Sequence, residues 1–120
     1  MGNDKIYNLE YRTFIFAKDC RFLVRDLKKT ISNIEDGKQL VRSSGSVGAN
    51  YIEANESFSK KDFVFRVKIC RKEAKESTYW LRLIKETNNL RDNDLVDSLI
   101  NESSELKKIF SAIIEKSKNK

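Results

Sequence analysis

The chain has 120 residues, 39% apolar and 35% charged, with a formal net charge of +6 and neither histidine nor proline. That length suits one domain with one core, and Phe, Leu, Ile and Val recur too often for a disordered polyampholyte. The missing histidine excludes a Ser-His-Asp triad, a Cys-His pair and any imidazole metal ligand, and no apolar run approaches the ~20 residues of a membrane span.

With no proline to interrupt them, segments rich in Leu, Lys, Glu, Arg and Ala predict helices. The first covers residues 9–29. Phe14, Ala17, Val24 and Leu27 recur there at helical spacing, with Phe16, Cys20 and Leu23 widening the stripe. Ser32 and Glu35 have the S-x-x-E form of a capping box and open a second helix over 33–57. Ser59 and Asp62, in "SKKD", open a third over 60–88, with Phe63, Cys70, Ala74, Ser77, Leu81 and Ile84 toward the core. Asn93 or Asp94 caps a fourth over 94–117, striped by Leu95, Leu99, Leu106, Ile109 and Ile113 and fraying into "KSKNK". The links are short, and short links make neighbours antiparallel. The expected fold is therefore all-α, an antiparallel up-down-up-down four-helix bundle in a single domain over 1–120.

The stretch "RSSGSVGANYIEANES", 42–57, has the glycine and serine of a phosphate loop but lacks G-x-x-x-x-G-K-[ST] and a preceding strand. Val41, Ser44, Val47 or Gly48, Tyr51, Ala54 or Asn55, and Phe58 keep helical spacing instead. The small residues then line a seam where another helix approaches closely. Cys20 and Cys70 fall at apolar positions and read as free core thiols. The opening "MGNDKIYNLE" has no hydrophobic core of a signal peptide, so a cytoplasmic location is expected.

Charge concentrates in the third helix. Residues 60–91 carry ten basic and four acidic groups, a net +6, while the other segments nearly cancel. Lys61, Lys68, Lys72, Lys75 and Arg82 share one helical face. That face reads either as a stripe following a phosphate backbone or as an ordinary solvated surface, with Glu76 and Glu86 diluting it. Glu53 and Glu56, and Glu73 and Glu76, form two E-x-x-E pairs of the kind di-iron bundles use, but without the accompanying histidines. Pairing with Arg42, Arg66 or Lys72 is the alternative. Arg66 and Glu73 lie near the apolar face and need partners there. Trp80 reads as a core anchor rather than a stacking platform.

Residues 42–84 resemble the signature of the small bacterial four helix bundle protein family, whose best-known members are encoded in intervening sequences inside large-subunit ribosomal RNA genes. Arg42, Ser43, Ser46, Val47, Gly48, Ala49, Asn50, Glu53 and Ala54 match R-S-x-x-S-[IV]-G-A-N-x-x-E-A. Ser59, Lys60, Asp62 and Phe63 match S-K-x-D-F, and Lys72, Glu73, Ala74, Glu76, Trp80 and Leu81 match K-E-A-x-E-[ST]-x-Y/W-W-L-x-L. The segment "VRSSGS" departs from the commoner form with Gly directly after Arg-Ser. The resemblance implies an antiparallel bundle assembling as a homopentamer. It also implies a relation to the accessory protein of diversity-generating retroelements, a basic pentamer thought to engage nucleic acid and the reverse transcriptase.

The function expected is a non-enzymatic oligomer, without cofactor or metal, that binds RNA or DNA phosphates through Lys61, Lys68, Lys72, Lys75 and Arg82. Arg42, Asn50, Glu53, Glu73 and Glu76 are assigned to a polar network that fixes helix register or a subunit interface. A structural or protein-interaction module is the alternative, and a carboxylate-bridged metal enzyme is a third.

Overall fold

The computed structural model describes residues 8–118, which form α1 (Leu9–Arg25), α2 (Ile31–Asn55), α3 (Lys60–Thr87) and α4 (Asp94–Lys118). Residues 1–7, on which the expectation about a signal peptide falls, and the end of the expected C-terminal fraying lie outside the described residues.

Side chains and backbone turns set the helix limits. α1 stops four residues earlier than its pattern predicts. Asp26 N and Leu27 N bond Leu23 O and Val24 O at 3.2 Å, tightening the last turn. Thr30 then takes an extended backbone, and its hydroxyl accepts from Asn33 N at 3.1 Å. The cap of α2 is thus Thr30, not Ser32, and the helix begins two residues before the predicted start. Ser59 opens α3 as its sequence predicts, accepting from Asp62 N at 3.0 Å. At the start of α4 it is Asp92, rather than Asn93 or Asp94, whose carboxylate accepts a bond, from Asp94 N at 2.8 Å.

Cross-helix partners run in opposite residue order, so sequential helices are antiparallel. Asn55 meets Glu10 and Gly37 meets Val24 between α2 and α1. Asn33 meets Asn88 and Asn50 meets Arg66 between α2 and α3. Lys85 meets Asp97 and Thr78 meets Ser103 between α3 and α4. Arg12 reaches Glu102 with two bonds, 2.6 and 2.8 Å, and ties α1 to α4, closing the bundle.

The core runs down the middle through Phe16, Leu40, Val47, Val67, Leu81, Leu106 and Phe110. Two aromatic positions depart from the predicted stripes. Phe14 is 63% exposed, because Leu9, Thr13, Phe16, Cys20 and Leu23 form the buried face and Phe14 lies far around the helix from Phe16. Phe58 is fully exposed. α2 has already ended at Asn55, so helical spacing no longer carries to it. Both thiols are buried and free. Burial pushes each up to about 12.

Candidate nucleic-acid interface

α3 turns Val67, Cys70, Ala74, Ser77, Leu81 and Ile84 inward, which places Lys61, Lys68, Lys72, Lys75 and Arg82 outward. All five are exposed. Among the described residues none of them comes within salt-bridge distance of a carboxylate. Some cations elsewhere are engaged. Arg12 holds Glu102, and that hydrogen bond raises the guanidinium's pKa. Lys85 holds Asp97 at 2.6 Å.

Two of the acids of α3 turn away from the stripe. Glu73 is buried in the α2–α3 seam, and Arg42 of α2 bonds it at 3.3 and 3.4 Å. The same guanidinium pairs with Glu76. Glu76 therefore turns toward the seam and neutralises an arginine of α2, instead of diluting the lysine column. Arg66 finds a neutral partner, donating to Asn50 Oδ1 at 3.1 Å, while Asn50 donates to Ser46 O at 2.9 Å. Arg42, Glu73 and Glu76 thus form one cluster, and Asn50 with Arg66 forms another along the same seam. Glu53 joins neither. It lies exposed on α2, and among the described residues its side chain meets no cation. The two E-x-x-E pairs do not converge, and among the described residues no three Cys, Asp or Glu side chains gather as a metal site requires.

The seam carries further polar contacts that local sequence does not announce. Ser43 and Ser77 hydroxyls meet at 2.8 Å, fully buried. Asn33 and Asn88 exchange reciprocal amide bonds of 2.8 and 2.9 Å. Nothing in either local stretch marks the 55-residue separation of that pair. Trp80 packs against the core as expected for an anchor, although its indole Nε1 is buried without a partner among the described residues.

One feature of the outer face escapes a search for charge alone. Stepping by four and three from Lys61 passes through Phe65, Lys68, Lys72, Lys75, Tyr79 and Arg82, all exposed. Two aromatic rings therefore stand in the same column as the five cations. Their signal in the sequence is this heptad-like spacing.

The 23S rRNA-intervening sequence protein family matches residues 8–112. A crystal structure of a protein of unknown function from the S23 ribosomal protein family of Bacteroides thetaiotaomicron is similar, with a TM-score of 0.78 and 32% identity. The match covers 92% of this chain and 98% of that one. No curated protein matches. No described helix is long and apolar enough to cross a membrane. With nearly the whole bundle matched, including the Arg42 seam and the basic face of α3, this chain belongs to the 23S rRNA-intervening sequence protein family.

Proposed function

We propose that this chain is a non-enzymatic, oligomeric four-helix bundle that binds RNA or DNA through the outer face of α3. The observation that carries the proposal is the column of exposed cations Lys61, Lys68, Lys72, Lys75 and Arg82, which pair with no carboxylate among the described residues. A cation already neutralised by a neighbouring carboxylate gains little from a phosphate, whereas an unpaired one displaces condensed counterions from it. The proposed assembly is the homopentamer implied by the family resemblance, in a cytoplasmic setting. Five such columns around a ring would sum their fields. Self-association is supported by Phe14 and Ile52, which stand exposed along a groove floored by Ala17, Gly45, Gly48 and Ala49. A non-catalytic role is supported by the chemistry of the side chains. The thiols are buried with raised pKa, histidine is absent, and Glu73 and Glu76 are committed to Arg42.

The family's name makes structured 23S ribosomal RNA the first probe. Five phosphate contacts predict a loss of affinity of about 10²–10³-fold between about 50 and 200 mM salt. Absence of binding at the lower salt overturns the proposal. A mass in solution of five times the 14.0 kDa protomer is expected, and a monomer overturns the assembly. The same apolar groove also favours the second reading, a protein-interaction module without a nucleic-acid role. Under that reading, capture of one defined protein survives nuclease treatment while RNA binding is absent.

A further inference from the structure

The outer column of α3 holds two large apolar rings where a solvated face needs none. Phe65 is 61% and Tyr79 58% exposed. The bundle does not use them as core, since Val67, Cys70, Ala74, Ser77, Leu81 and Ile84 already fill the inner face. Each ring has a cation one turn away on either side, Lys61 and Lys68 around Phe65, Lys75 and Arg82 around Tyr79. Phe65 borders a shallow depression shared with Lys61, Val64 and Lys68. Tyr79 is braced, its ring meeting that of Trp80 edge-on at 5.0 Å and 78°, with Trp80 packed on the core. The two rings are four helical turns apart, about 21 Å along the axis.

A double helix would meet this column with its phosphates only, because its base faces are stacked within the duplex. An exposed ring gains nothing from that partner. An unpaired strand offers a π-face at every base, and aromatic stacking between phosphate-binding cations is how strands are held without sequence preference. Building on the nucleic-acid reading above, we infer that the column selects unpaired RNA or DNA. Phe65 and Tyr79 stack bases, while Lys61, Lys68, Lys72, Lys75 and Arg82 track the phosphates. The interval between the rings corresponds to about six nucleotides at the 3.4 Å phosphate spacing of a stacked strand.

The test compares a labelled RNA strand of about 20 nucleotides, long enough for a full site, with the blunt duplex of the same sequence, at low salt. The unmodified protein is expected to bind the single strand about tenfold or more tighter. Phe65→Ala and Tyr79→Ala each weaken single-strand binding about tenfold, change duplex binding less than twofold, and leave helicity and assembly mass unchanged. Tyr79→Phe keeps the single-strand affinity, because it keeps the ring. Lys68→Gln with Lys72→Gln weakens both probes. Equal affinity for both probes overturns this inference and leaves the basic-face proposal standing. So do alanine variants that weaken both probes alike. A change of assembly mass in the alanine variants also overturns it, since the rings then cover a subunit contact. Failure to bind either probe removes both proposals.

Discussion

Arg42 on α2 clamps Glu73 on α3, with its Nη1 and Nη2 3.4 and 3.3 Å from the two carboxylate oxygens. The glutamate side chain is 9% exposed and the arginine 49%. The hydrogen bond to Glu73 is the main cause that raises the Arg42 pKa, so the guanidinium stays charged throughout the working pH range. Removing it leaves a nearly buried carboxylate without its cation. A fully buried pair broken in this way costs about 3–5 kcal/mol. Because half of Arg42 faces water, Arg42→Ala is expected to cost about 1–3 kcal/mol. Glu73→Gln in the same background should restore part of that loss. Urea unfolding at fixed protein concentration measures both, and a cost below about 0.5 kcal/mol for Arg42→Ala would make the clamp irrelevant to stability.

The start of α2 gives a second prediction, because sequence and structure assign the cap to different residues. Thr30 has the extended backbone and accepts from Asn33 N, while Ser32 lies within the first turn and is exposed. Thr30→Ala is therefore expected to cost about 1 kcal/mol, and Ser32→Ala less than about 0.5 kcal/mol. Thermal unfolding of the two variants separates them, and the reverse order would return the cap to Ser32.

These two sites show what could be read from the sequence. Helical spacing and the absence of proline gave four helices, and short links gave their antiparallel order. Ser59 was legible because its partner, Asp62 N, is three residues away. The Thr30 cap was missed because "TISNIE" contains two hydroxyl residues that fit a cap, and only the turn after Leu27 decides between them. Phe14 and Phe16 both looked like core, since a one-dimensional stripe does not say which side the other helices approach. The need of Glu73 for a cation could be read from its place on the apolar face. That Arg42 would also take Glu76 and free the lysine column from it could not, because that depends on the rotation of α2 against α3. Glu53 shares the motif but not the seam.

The two glycines at the α1–α2 approach predict opposite effects of the same substitution. A Cβ at Gly48 would stand 2.9 Å from Thr13 Oγ1 and 3.2 Å from Thr13 Cβ. Thr13 is buried, and its hydroxyl is held by Leu9 O at 2.7 Å, so it has little room to yield. A Cβ at Gly45 would meet only the Arg21 guanidinium, at 3.2 Å, the flexible end of an exposed side chain. Alanine gains about 1 kcal/mol over glycine within a helix, and overpacking a tight contact costs about 1–3 kcal/mol. Gly48→Ala is expected to lose about 1 kcal/mol net and Gly45→Ala to gain about 0.5 kcal/mol. Denaturant midpoints decide it. A stabilised Gly48→Ala would mean that α1 and α2 are not in close contact at Thr13.

Burial of Cys20 and Cys70 predicts both their reactivity and an alkaline limit to stability. Each thiol is fully enclosed and desolvation raises its pKa from 9.0 to about 12. The thiolate is the reactive form, so at pH 8 a disulfide reagent should label neither cysteine in the folded chain and both in denaturant. The thermodynamic sign follows from proton binding. Between pH 9 and 12 the unfolded thiols release protons that the folded ones keep, so stability is intact below about pH 9 and falls as pH rises through that window. Each thiol contributes a slope of at most about 1.4 kcal/mol per pH unit. Cys20→Ala is expected to lower stability at pH 7.5 by opening a cavity, yet flatten the decline between pH 9 and 10.5. Urea unfolding at those pH values tests the slope directly. Rapid labelling at pH 8 without denaturant, or an unchanged slope in the variant, would show that the thiol is not enclosed in the folded state.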